Sequence, residues 1–323
     1  MSLGVVVLNW NGIEVTPRCL DSIVSSSCPP DRIVVVDNAS TDGSAELVRS
    51  RYPHVDVIVN DSNLGFAEGC NVGLRHLLDH GCDLILLLNN DAILDSEALC
   101  AFRHAAQEHP AAAYGAAIFE LTAPQSLWYG GGSVSRLTLD ARHLTAAEDA
   151  LGASRPTGFV TGCCLLFRAD ALREIGLLDP DFFAYYEDVD WCLRAGAAGH
   201  RLIYVPAAMV QHEVSHTFRK LGDAESGKSS GNWSRPQPLV LYLAYRNRLL
   251  LARKHARGSL HLSFLILRRL WRAVLHGGML ALAGRGAQAR AVAEGTMAGL
   301  RRPPEPVQVE RYISMHPSHA ARR

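Results

Sequence analysis

Neither charge is in excess in this chain: Lys+Arg and Asp+Glu both number 32 among 323 residues. That balance gives no reason to expect a nucleic-acid partner, which would draw a basic surface. Eight cysteines, at 19, 28, 70, 82, 100, 163, 164 and 192, form no CxxC pair. They are expected to be reduced, buried thiols rather than disulfides or zinc ligands. Adjacent Cys163 and Cys164 would point to opposite faces of a strand, which argues against joint metal binding. The start, MSLGVVVLNW, lacks the basic region and apolar core of a secretory signal, so a cytoplasmic location is expected. No GK[ST] follows a glycine-rich loop, so a Walker site is excluded. No GxG follows the first strand, which weakens a nicotinamide-cofactor reading. Internal repeats are absent. What remains is a globular composition, 48% hydrophobic, long enough for one large domain or two smaller ones.

The most informative stretch is LILLLNND, residues 84–91. An apolar run of that length predicts a strand buried on both faces of a parallel sheet. Asn89, Asn90 and Asp91 would then lie at the carboxyl edge, where open α/β sheets put ligands. A carboxylate there can hold a divalent metal against a phosphate. Taken alone, the tripeptide favours an ordinary turn and helix cap. Its neighbours reverse that preference. Strands are predicted at 5–10, 32–37 and 55–59, each followed by a helical pattern. Asn9 and Asn11 leave the first strand. Asp37 leaves the second, in the position of a carboxylate that hydrogen-bonds a nucleoside. The loop DNASTDGS (37–44) reads equally as turn and cap. In NLGFAEGCNVG (63–73), glycines 65, 69 and 73 share one helix face. Something must pack close there, either a neighbouring strand or a diphosphate at the helix start. Residues 1–110 thus alternate strand and helix four times, as a doubly wound α/β half does.

Residues 133–156 are mixed and polar and predict a surface excursion. A strand is expected at 159–168 and a helix at 169–175. LDPDFFAYYEDVDWCLR (178–194) sets five acids among five aromatics. Glu187 and Asp188 fall at a helix start, where the dipole favours carboxylates. They are either N-terminal charge on an ordinary helix or a partly desolvated general base. His212 follows a strand at 200–210 and is either a metal ligand or a structural histidine. Residues 217–238 read as a flexible linker or lid. From 239 to 300 the pattern is helical, with many arginines and one acid, Glu294. Arginines interrupt its apolar stretch, against a bilayer-spanning helix. It suits a helix lying on an anionic membrane surface, or a helical subdomain packed on the core or on another subunit of a homo-oligomer. The expected division is 1–216 (nucleotide-binding half 1–115, acceptor half 116–216), linker 217–238, basic amphipathic helical tail 239–302, and tail 303–323.

VVVLNWNG, VVVDNASTDGS, NLGFAEGCNVG, LLLNNDA, TGCCLLFR and FFAYYEDVDWCLR, followed by His212, stand in this order. Together they resemble the family-two inverting glycosyltransferases, especially bacterial rhamnosyltransferase-like members. The resemblance implies a GT-A fold: α/β, Rossmann-like, with a mostly parallel sheet and a C-terminal helical tail. It implies that Asn9 and Asn11 line the nucleotide pocket, that Asp37 contacts the base, and that Asn63, Gly65 and Asn71 lie near the sugar diphosphate. Asn89-Asn90-Asp91 takes the place of the DxD motif, with Asn89 where the family has its first Asp. Asp91 and His212 would hold Mg2+ or Mn2+, and Asp188 would be the catalytic base. The implied activity is metal-dependent, inverting transfer of a hexosyl group from a nucleotide-diphosphate sugar to a glycan or lipid-linked acceptor. Rhamnose is the sugar by analogy, and cell-surface polysaccharide synthesis is the setting. The enzyme would sit peripherally at the cytoplasmic face of the cell membrane. Tyr245-Arg246-Asn247 resembles a tail motif of the same group, with no role attached. The alternatives are a sugar nucleotidyltransferase and a non-catalytic nucleotide-sugar-binding protein.

Overall fold

The computed structural model describes residues 1–146, 152–213, 237–301 and 307. The expected linker lies outside them except for residues 237 and 238, as does the tail 303–323 except for residue 307. The described residues form two compact units. One holds 1–136, 140–180 and 187–213; the other holds 137–139, 181–186 and 237–301.

The first unit is built on β1 (Leu3–Asn9), β2 (Arg32–Asp37), β3 (Asp56–Val59) and β4 (Leu84–Asn89). These run parallel in the order β3-β2-β1-β4. Helices α1 (Thr16–Val24), α2 (Ser44–Arg51) and α3 (Gly65–Asp79) make the crossovers. Val5–Val7, Val34–Val36 and Leu84–Leu88 are buried. A strand covered on both faces needs that continuous apolar run. Gly69 and Gly73 let α3 press onto it. A Cβ on Gly69 would lie 2.7 Å from Leu8 Cδ1, and one on Gly73 would lie 2.5 Å from Val6 Cγ1. Strand side chains thus occupy that face of α3 at Gly69 and Gly73.

Past β4 the direction changes. β11 (Cys164–Arg168) runs antiparallel between β4 and β6 (Ala113–Glu120). β12 (Leu202–His212) lies parallel to β6. β5 (Ala92–Leu94) caps the end of β12, β7 (Ala123–Tyr129) pairs with β6, and β10 (Arg155–Pro156) is the far edge. Helices α4 (Ala98–Glu108), α5 (Ala169–Ile175) and α6 (Glu187–Ala197) complete the unit. The expected α/β unit with a mostly parallel sheet is present, with three differences. The strand expected at 159–168 begins only at Cys164. Upstream, the Val160 and Gly162 amides bind Cys192 Sγ and the Asp188 carboxylate instead of a ladder. The polar excursion includes a two-stranded sheet, β8 (Gly132–Val134) with β9 (Ala141–His143). The cysteine expectation fails at one pair: Cys28 and Cys100 are disulfide-bonded, with Cα atoms 5.3 Å apart. The amide of Ser27 and the hydroxyl of Ser26 both bond the Ser96 carbonyl, which brings that loop onto the start of α4. The other six cysteines are free and buried.

The second unit packs α7 (Pro238–His255), α8 (Ser259–Leu282) and α9 (Gly286–Leu300). Glycines on α9 allow close contact with α7: a Cβ on Gly299 would lie 2.7 Å from the Arg246 carbonyl oxygen. Among the described residues no helix is long and apolar enough to cross a membrane.

Candidate active site

Three parallel strands end level. In register, Asn9 faces Asp37 and Leu8 faces Asn89. The polar exits of β1, β2 and β4 therefore meet at one sheet edge.

Asn9 is the hub of the first cluster and has no exposed surface. Its Nδ2 lies 2.6 Å from Asp37 Oδ1, 2.7 Å from Ser44 Oγ and 3.1 Å from Ser40 Oγ. Its Oδ1 accepts from Thr16 Oγ1 at 2.7 Å and from Asn90 Nδ2 at 3.4 Å. The Ser40 amide donates to the second carboxylate oxygen of Asp37 at 2.9 Å. Asn11 takes a positive φ of 51°, which asparagine tolerates, and its Oδ1 accepts from the Thr41 amide. Asn38 is a second hub: its Nδ2 donates to Asn63 Oδ1 and to the Gly65 carbonyl, and its Oδ1 accepts from Asn60. Asn63 Oδ1 also accepts from the Gly65 amide. Asn71 stands apart. It bonds the backbone of Leu178 in both directions, at 2.8 and 3.1 Å, and so ties α3 to the approach to α6.

Asp91 and His212 come together from residues far apart in the chain. His212 pairs with Ala92 where β5 caps β12, and the Glu213 amide donates to the Asp91 carbonyl. That register sets His212 Nε2 3.1 Å from Asp91 Oδ1, both side chains being buried. The described residues contain no group of three or more His, Cys, Asp or Glu able to enclose a metal. Two ligands leave room for phosphate oxygens and water, which Mg2+ and Mn2+ keep in nucleotide sites. The Asn89 Oδ1 and His212 Nδ1 atoms are buried without a hydrogen-bond partner among the described residues. The residues present fit such an ion.

Asp188, in the first turn of α6, sets its carboxylate against the Gly162 amide, at 2.9 Å. Gly162 precedes Cys163, whose carbonyl accepts from the Asn89 amide at 2.9 Å. A short run of contacts therefore joins Asp188 to the strand end that carries Asp91. Burial pushes the Asp188 carboxyl above the usual carboxylate range. Neighbouring Glu187 is raised further, first by burial and then by the Asp188 charge. Its Oε2 has no hydrogen-bond partner among the described residues. The structure adds residues that the sequence did not single out. Thr16, Ser40, Ser44 and Asn60 carry the amide network. His143 stacks edge-on against Trp128, which does the same against His212, with ring centroids 4.5 and 5.2 Å apart. The polar, unpatterned sequence around 143 carried no signal of this.

Residues 2–226 match the family described as "Glycosyltransferase like family 2". The chain is 27% identical over 238 residues to the N-acetylglucosaminyl-diphospho-decaprenol L-rhamnosyltransferase of Mycobacterium tuberculosis, covering 67% of this chain and 77% of that one. In fold it resembles S. aureus TarS 1-349 in complex with UDP-GlcNAc, with a TM-score of 0.56, 16% identity and coverage of 93% and 82%. It also resembles the mannosyltransferase PcManGT from Pyrobaculum calidifontis in complex with GDP-Man and Mn2+, with a TM-score of 0.53, 19% identity and coverage of 97% and 83%. A match along most of the chain, on a sheet whose polar strand ends meet at one edge, makes this protein a member of the family 2-like glycosyltransferases.

Proposed function

We propose that this glycosyltransferase moves a sugar, rhamnose by likeness to its relatives, from a nucleotide-diphosphate donor to a glycan or lipid-linked acceptor, with inversion, in cell-surface polysaccharide synthesis. The contact path from Asp188 through Gly162 and Cys163 to Asn89 carries this reading, because it brings a general base to the edge where a diphosphate would sit. Asp188 takes the acceptor hydroxyl proton as the oxygen bonds the anomeric carbon. The bond from that carbon to the diphosphate oxygen breaks on the opposite face, and its electron pair leaves with the nucleotide diphosphate. Asp91 and His212 would hold a divalent cation, which would supply positive charge to that leaving group. Asp37, Asn11, Asn63, Gly65, Asn89 and Asn90 face the donor. Asn9 holds Asp37 and Asn90 in place, and Asn71 acts through Leu178.

We propose further that the helical unit meets a lipid surface. On α8, Leu260, Leu267, Trp271, Val274, Met279 and Leu282 are all exposed. Arg268 and Arg272 lie among them, and residues 239–300 hold a single acid. An apolar stripe edged with arginine would complement an anionic membrane, which supports a peripheral position on the cytoplasmic face. Sedimentation with anionic and with neutral vesicles tests this. Trp271→Glu should abolish anionic-vesicle binding; concentration-dependent dimerisation lost in the same variant would assign the stripe to a second copy instead.

The decisive assay offers the purified chain a panel of sugar nucleotides with Mg2+ or Mn2+ and an acceptor. Release of nucleotide diphosphate is expected. Pyrophosphate release would make it a nucleotidyltransferase, and binding without turnover would make it a non-catalytic sugar-nucleotide binder.

A further inference from the structure

Tyr245-Arg246-Asn247 lies within α7 and has no part in the chemistry above. Within the same unit, α7 holds residues 181–186, DFFAYY, which immediately precede Glu187 and Asp188. Three of those six take positive φ: Phe183 at 62°, Tyr185 at 70° and Tyr186 at 73°. None is glycine or asparagine, and bulky residues rarely enter that region. Such a run persists only where its surroundings over-determine it.

α7 supplies the surroundings. Asn247 is fully buried. Its Nδ2 lies 2.8 Å from each of the carbonyl oxygens of Phe182, Ala184 and Tyr185. Arg246 is also buried, and its Nη1 donates to the Asp181 carbonyl at 2.6 Å and to Asn247 Oδ1 at 2.9 Å. The second bond orients the amide, so that its hydrogens face the segment and its oxygen faces the guanidinium. The Asp181, Phe182, Ala184 and Tyr185 carbonyls thus converge on two adjacent side chains, with the two Asn247 amide hydrogens shared among three of them and the Phe182 carbonyl also accepting from the Ala184 amide. The Arg248 guanidinium lies 5.5 Å from the Tyr186 ring centroid, and the Lys254 ammonium lies 5.5 Å from that of Phe182. In the other unit, Asn71 fixes Leu178 just upstream.

We propose that Arg246 and Asn247 are positioning residues for the transfer reaction: they hold residues 181–186 in the strained form that sets where α6 begins and where the Asp188 carboxylate points. This rests on the reading of Asp188 as the base. Covalent continuity transmits the constraint, since Tyr186 joins Glu187 by one peptide bond. The motif's separation from Asp188 in sequence conceals the relation. A helix that served only as packing would need volume at 247, not two amide hydrogens.

The test uses the full chain with Asn247→Ala and with Asn247→Asp, which keeps the shape and loses the donors. Hydrogen exchange read over peptides spanning 159–164 and 181–190 reports whether the Gly162 amide still bonds the Asp188 carboxylate, without reference to turnover. Both variants are expected to exchange faster in both peptides. The kcat should fall about 10²-fold, the scale of a catalytic group displaced by about 1 Å. Affinity for the donor that the panel identifies should be unchanged. Arg246→Lys, which retains one donor for the Asp181 carbonyl, should show the same split with a smaller loss; it carries the test if the Asn247 variants do not fold. Unchanged exchange at 159–164 would overturn the proposal, as would kcat and donor affinity falling together, or Asn247→Asp behaving as wild type. Faster exchange with full turnover would leave the clamp standing but remove Asp188 as the base, overturning the catalytic half; retained turnover in Asp188→Asn would remove the base independently of the clamp.

Discussion

The proposed donor wall and the proposed base wall of the site are built on opposite terms. On the donor wall, Asn9 and Asn38 spend their amides on Asp37, Ser40, Ser44, Asn60 and Asn63, inside the protein. On the base wall, Glu187 and Asp188 lie side by side where burial raises both carboxyls. The first arrangement makes a rigid cradle, because satisfied buried networks fix one geometry. The second keeps proton affinity high, which a general base needs. A wall can be prepared for shape or for proton transfer, and this molecule separates the two.

The largest effect should come from the base wall. Asp188→Asn is expected to lower kcat by about 10²–10⁴-fold, the usual worth of a general base. Donor affinity, read by calorimetry, should hold. In the wild type, kcat/KM should fall with decreasing pH through a value above the ordinary 3.8, since the base works only when ionised. Loss of donor binding in the same variant would erase the distinction between the walls. Next comes the Asp91–His212 pair at the strand ends. Asp91→Asn should weaken donor binding with Mn2+ by about 10–100-fold, matching about 1.5–3 kcal/mol for a charge-assisted contact. Binding without metal should change little; equal losses in both conditions would remove Asp91 as a ligand.

A third prediction belongs to the cradle. Asn9→Ala strips Asp37, Ser44 and Thr16 of their shared partner. Stability should drop by about 1–3 kcal/mol, the cost of leaving buried polar groups unmet. Denaturant unfolding reads this directly, and kcat at saturating donor should be nearly intact. A large kcat defect would move Asn9 from cradle to chemistry.

The two walls were unequally legible in the sequence. Valine and leucine runs ending in Asn9, Asp37 and Asn89 announced the parallel half, because local composition decides burial there. The meeting of Asp91 with His212 was named by resemblance, and antiparallel pairing of β5 with β12 produces it. Glycines 69 and 73 signalled close packing but not which neighbour came close. What stayed hidden depends on long-range closure: the Cys28–Cys100 bond, His143 beside Trp128, and Asn247 beneath Phe182, Ala184 and Tyr185. None leaves a periodic trace, since each rests on single side chains meeting another segment of the chain.

The smallest effect gives the finest contrast. Glu187 is buried, and the folded state holds its proton above the ordinary 4.5 of a free glutamate. As pH rises past that value, the unfolded chain releases the proton while the folded chain keeps it. The unfolded state then binds fewer protons, so stability falls with pH until the folded carboxyl also ionises. Glu187→Gln has nearly the same shape and no proton to lose. It should therefore raise Tm at pH 7, by about 2–4 °C for each kcal/mol recovered in a unit of this size. The gain should shrink towards zero below the ordinary glutamate value, where wild type and variant are both neutral. On the donor wall, where Asp37 is held by an amide and a backbone N–H, no variant should gain stability in this way. Thermal melts across that pH range decide it. A gain that stays constant with pH would put the burden of Glu187 in its packing, and the two walls would then differ in shape alone.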